Sequence, residues 1–113
     1  MSVKINGKEL HLTTFEVPTS GKNIRRCLEA QKNFAKANMV IENVDEEKPE
    51  SILESLDAQM NLIDTYTEFL KPVLKLSDAQ VEKIEDADFD KVVTFTNKVI
   101  SKILDVDQSK SDD

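Results

Sequence analysis

Apolar and polar positions alternate over the first seventeen residues, around an Asn-Gly pair. Segments 3–5 and 8–12 flank Asn6-Gly7, the dipeptide best suited to the positive φ angles of a type I′ turn. Such a turn predicts a hairpin with Lys4 opposite Glu9 and with Val3, Ile5, Leu10 and Leu12 on one face. A lone hairpin is marginal in water, so that face needs helices to rest on. Phe15-Glu16-Val17 either extends the second strand or forms a third, and Pro18 stops it.

Beyond Pro18 the apolar period lengthens to that of a helix. A turn at 18–21, with Ser20 or Thr19 as N-cap, opens a helix over 22–39. Ile24, Cys27, Leu28, Gln31, Phe34, Ala35, Asn38 and Met39 fall on one face of it. Lys22, Arg25, Arg26, Lys32 and Lys36 fall on the other, with Glu29 among them. An acidic linker over 42–48 leads to Pro49 at a first helical position.

The second helix, over 49–71, carries two apolar rows. Leu53, Leu56, Met60, Ile63, Thr67 and Leu70 step by three and four residues to make a narrow seam. Leu62, Tyr66, Phe69 and Val73 lie beside it. At about 100° per residue the rows span an arc of about 200°, more than a helix with one covered side requires. Pro72 ends or kinks this helix near Lys71.

Ser77 and Gln80 fit a capping box, with Leu76 and Val81 spaced as a hydrophobic staple, and start a short helix ending near Asp86. Asp88 then caps a last helix over 89–104. Its apolar face comprises Phe89, Val92, Val93, Thr96, Val99, Ile100, Ile103 and Leu104, and Phe95 projects off that face. The expected fold is mainly α: one domain over 1–104, with a small hairpin at 1–17 packed on a bundle of about four helices. Residues 105–113 are acidic and Ser-rich, and are expected to form a disordered tail.

Composition narrows the function classes. With 2 Gly and 3 Pro in 113 residues, the chain has too few reversals for a sandwich or barrel and no Gly-rich phosphate loop. The single cysteine, Cys27, permits no internal disulfide, which suits a reducing compartment. No apolar stretch is long enough for a membrane span or a secretory signal, so the expectation is a soluble cytoplasmic protein with no membrane partner. Net charge is −7 and unevenly spread: residues 1–41 carry seven Lys or Arg against three Glu, and residues 42–113 carry eight Lys against 19 Asp or Glu. An acidic chain is a poor polyanion binder, so no nucleic-acid partner is expected.

Candidate chemistry is sparse. The lone His11 has no neighbouring ligand, and Cys27 lies on an apolar helix face without an activating partner. Asp86-Ala87-Asp88-Phe89-Asp90 imitates half a calcium loop, but Lys91 stands where Gly is required and Asn97 where the bidentate Glu belongs. The expectation is no enzyme, no metal and no cofactor.

Two features reach toward function. The basic stripe is either the wet side of an amphipathic helix or a docking surface for the acidic segment 42–57 of another copy, with Arg25, Arg26 and Lys36 as self-association candidates. The wide arc is either covered on two sides by its own chain or leaves one row for another protein; Leu62, Tyr66, Phe69 and Phe95 are the candidate protein-binding residues.

The K-I-N-G-K-E-L opening, the G-K-N-I-R-R-C-L-E helix, the acidic linker and F-L-K-P-V-L-K-L-S together resemble tail assembly chaperones of long-tailed phages of Gram-positive bacteria. The resemblance covers about residues 1–104. It implies a non-enzymatic helical protein that binds the tape measure protein, keeps it soluble and helps recruit tail tube subunits. It also implies self-association, work in the host cytoplasm and absence from the finished virion. Alternatives from other classes are a permanent tail or connector component and an acidic inhibitor that mimics DNA.

Overall fold

The covering helices are shorter than the pair they cover, and that mismatch shapes the molecule. A computed structural model describes residues 2–104. Strands β1 (Ser2–Asn6) and β2 (Thr14–Pro18) precede helices α1 (Gly21–Glu42), α2 (Pro49–Leu74), α3 (Asp78–Asp86) and α4 (Phe89–Leu104). The fold is mainly α with a small N-terminal antiparallel hairpin on a helical bundle, as the pattern of apolar positions implies. At 1.5 Å per residue, α2 is about 39 Å long and α1 about 33 Å, against about 24 Å for α4 and about 14 Å for α3. The shape is accordingly elongated, 50 × 31 × 23 Å.

The hairpin differs from the sequence expectation in its turn and its second strand. β1 pairs with 14–18, placing Val3 opposite Val17, Lys4 opposite Glu16 and Ile5 opposite Phe15. Segment 8–12 is no strand: Lys8–Leu10 form a single 3-10 turn, and His11 follows in the left-handed region at φ 60°. Local hydrogen bonds hold this path. The Asn6 side-chain carbonyl accepts from the Lys8 N–H at 2.9 Å, and the Gly7 carbonyl accepts from Leu10 and Leu12. This path buries both Leu10 and Leu12. A Cβ at Gly7 would lie 2.8 Å from both Leu12 Cβ and the Thr13 carbonyl, so the close chain approach calls for glycine. Glu9 pairs with Lys98 rather than facing Lys4.

The helix starts follow the expected chemistry. Ser20 caps α1 through the Asn23 N–H. Ser77 and Gln80 complete a reciprocal capping box on α3. The Asp88 carboxylate accepts from the Asp90 N–H at the head of α4. Pro72 neither ends nor closes α2, which continues to Leu74. The proline is exposed, so the backbone carbonyl it leaves unbonded is not sealed in the core. The helix stops at Lys75, φ 56°, whose N–H bonds the Lys71 carbonyl.

The core gathers Ile5, Leu10 and Val17 of the hairpin segment, Cys27 and Ala30 of α1, Leu70 and Val73 of α2, Ile84 of α3 and one side of α4. On α1 the covered face is rotated from the expected one. Asn23, Cys27, Ala30 and Ala37 are buried, whereas Leu28 and Met39 are exposed. Asn23 is tied in place: its Nδ2 donates to the Pro18 carbonyl at 2.9 Å, and its Oδ1 accepts from Arg26 at 2.8 Å. Phe95 also departs from expectation, being fully buried. It lies at the edge of the α4 face, and β1 and the 3-10 turn pack against that helix.

Candidate functional site

The seam and the neighbouring row of α2 meet different fates. Tyr66 and Phe69 are 8% and 5% exposed, and Leu62 is half-buried. Tyr66 stacks on Phe34 of α1 at a ring separation of 4.5 Å and meets Phe89 of α4 edge-on at 5.3 Å. Burial holds its phenol protonated beyond its usual range. Tyr66, Phe69 and Phe95 are therefore core side chains of this chain, which corrects their expected place on an open protein-binding surface.

The surface left open is the upper part of the seam. Among the described residues, nine large apolar side chains are exposed, and five of them fall within residues 52–63 of α2. These are Ile52, Leu53, Leu56, Met60 and Ile63, at 39, 62, 49, 56 and 50% exposure. Scattered exposed apolar residues are ordinary, whereas five along three turns of one helix form a patch. Leu53, Leu56, Met60 and Ile63 are residues of the narrow seam; Ile52 adjoins it one turn from Leu56.

The same stripe continues down α2 as Thr67, Leu70 and Leu74, and there the chain covers it. Leu70 and Leu74 are buried. α3 lies along this lower part, its start marked by Asp78 near Lys71 and its end by Ile84 and Ala87, which share a cleft with Ile63, Tyr66 and Thr67. At Ala87 the chain turns away into α4, and the stripe above emerges uncovered as a ledge about 17 Å long.

The opposite flank of the α1–α2 pair is polar. A groove there is walled by Lys36 and Asn33 of α1 and by Asn61, Asp64 and Glu68 of α2, with Ala37 and Ala58 also lining it. It continues past Arg26 and Glu29 toward Pro72. Arg26 and Lys36 thus face one groove, although Arg26 is half-buried against Asn23. Arg25 lies elsewhere on the helix, exposed and paired with Glu29 at 3.4 Å.

Charge around the ledge is predominantly acidic. Residues 42–70 hold nine carboxylates and one basic residue, Lys48. At about 100° per residue, Glu50, Asp57 and Asp64 run along one margin of the seam. Glu85 lines the cleft at the foot. All four are exposed, and among the described residues none of them forms an ion pair.

Cys27 is buried, and burial pushes its thiol from 9.0 up to about 11. Among the described residues no group of three or more His, Cys, Asp or Glu could hold a metal ion. Asp86 and Asp88 sit at helix ends, and Asp88 is used as a cap. No described helix is long and apolar enough to cross a membrane.

A family model described as phage tail assembly chaperone proteins, TAC, matches residues 1–113, the full length of the chain. The chain belongs to this family. Neither curated proteins nor solved structures provide a match. A tail assembly chaperone acts on other tail proteins. Both rows of α2 are plain in the sequence; which of them stays open depends on how α1, α3 and α4 pack on the helix, and spacing within α2 does not encode that. Segment 105–113, expected to be a disordered tail, lies outside the described residues.

Proposed function

We propose that this tail assembly chaperone binds the tape measure protein through the Ile52–Ile63 ledge, keeps it soluble in the host cytoplasm, and helps recruit tail tube subunits. The observation that carries the reading is the concentration of exposed apolar side chains on one helix stripe in a family of assembly chaperones. A holding chaperone needs apolar contact area and enough net charge to keep its complex dissolved; the ledge and the charge of −7 supply them.

The basic stripe supports a second contact, between copies. Arg25, Arg26 and Lys36 of one copy would meet the acidic segment 42–57 of another, giving an oligomer. Reversing Arg25 and Arg26 to Glu is expected to lower the oligomer mass in light scattering; an unchanged mass removes both from the interface.

Co-expression tests the client reading. With the wild-type chain, the tape measure protein is expected in the soluble fraction after centrifugation. With the Leu56→Asp, Ile63→Asp double variant it is expected in the pellet, while the variant itself stays folded by circular dichroism. A client held equally well by that variant would refute the ledge as its binding surface. Mass spectrometry of purified virions should lack the chain; its presence there would mark a structural tail component instead.

A further inference from the structure

The shape and charge of the ledge specify its occupant, an inference that rests on the ledge being the client-binding surface. Its spacing asks for a helix. Leu56, Gln59, Met60 and Ile63 occupy positions i, i+3, i+4 and i+7, the four corners of a hole that accepts one knob from a facing helix. The molecule itself lays a helix on the lower part of the same stripe: α3 runs along α2 there, with Ile84 buried and Val81 half-buried. A second helix placed above the end of α3 would continue this packing along residues 52–63.

The rim selects among helices. Carboxylates border the stripe at Glu50, Asp57, Asp64 and Glu85, and among the described residues none of these is neutralised by an ion pair. A second copy docking ledge to ledge would bring two such rims together, and juxtaposed like charges disfavour that pairing. A helix with Lys or Arg beside its apolar seam would meet opposite charge along its length.

We propose that the ledge receives an amphipathic helix of another protein, with apolar residues at heptad spacing flanked by Lys and Arg. The apolar seam fixes position along α2, and the acidic rim excludes acidic helices and a copy's own ledge.

Two labelled peptides of about four heptads, alike in their Leu and Ile seam but with either Lys or Glu at the flanking positions, test this by fluorescence anisotropy on the full-length chain. The Lys peptide is expected to bind roughly tenfold tighter than the Glu peptide at low salt, with the preference shrinking as salt rises. A Lys peptide with its apolar residues scrambled should not bind, and Leu56→Asp should abolish binding with the helical circular dichroism intact. Equal affinity for the two peptides, binding by the scrambled peptide, or binding that survives Leu56→Asp would overturn the proposal. So would an oligomer mass that falls in Leu56→Asp while the wild-type chain ignores the Lys peptide, since a second copy would then be the occupant. If the chain ignores the Lys peptide but still keeps the tape measure protein soluble through the ledge, the partner chemistry is wrong and the client reading stands. If both fail, both fall.

Discussion

The two halves of α2 carry the same apolar stripe and use it differently. In residues 66–74 the stripe and its neighbouring row are enclosed by α1, α3 and α4, and Leu70 is fully buried. In residues 49–63 the neighbouring row is still covered, at Ser55, Ala58 and Leu62, but the stripe is open. One helix is therefore a core element at one end and a presented surface at the other. Hydrophobic periodicity marks positions that need cover, and the cover need not come from the same chain.

The largest expected contrast is in stability. Leu70→Ala should cost about 2–5 kcal/mol in urea unfolding, because a fully enclosed side chain leaves a cavity. Leu56→Ala should lie at the other extreme, within about 0.5 kcal/mol of wild type, because its side chain already meets water. Equal losses at the two positions would erase the distinction between the halves.

Cys27, on the α1 face packed into the enclosed core, reports on the same boundary. Its thiol should react slowly with a disulfide reagent in the native protein and fast in denaturant. The folded thiol titrates near 11 and the unfolded one near 9.0, so on raising pH the unfolded chain loses this proton first. Cys27's contribution is thus fully present below pH 9 and is lost between 9 and 11. Unfolding of wild type and Cys27→Ala across that range checks it, the alanine variant lacking this part of the decline.

A smaller effect sharpens the enclosed side from within. Thr96 Oγ1 on α4 is buried with no hydrogen-bond partner among the described residues. Thr96→Val removes that hydroxyl and should stabilise the fold by about 1 kcal/mol, without altering what the ledge binds. Destabilisation in its place would mean the hydroxyl is satisfied in solution.

Legibility in the sequence divides along the line between local and distant causes. The α3 capping box is legible because Ser77 and Gln80 bond backbone groups three residues away. The span of α4 is legible because its apolar face repeats over four turns. The hairpin turn misleads: Asn6-Gly7 is a strong type I′ signal, yet burying Leu10 and Leu12 against the helices favours a 3-10 turn and a later second strand. Both rows of α2 are visible, but the aromatic row that looks fit for a partner is the enclosed one. Burial of Tyr66 depends on Phe34 and Phe89, residues 32 positions before it and 23 after it. Likewise, α1 turns Ala30 and Ala37 inward and leaves Leu28 and Met39 out, a choice set by packing against α2.

Site-specific photocrosslinking tests the division of labour on α2 most directly. A benzoylphenylalanine is placed at Met60 on the ledge or, in a second variant, at Glu68 on the polar groove, and each is irradiated with co-expressed tape measure protein. The adduct should form from position 60 and be absent or far weaker from position 68. An adduct from 68 alone, or none from 60 while the two proteins still co-purify, would contradict the assignment of the open half of α2 as the client surface.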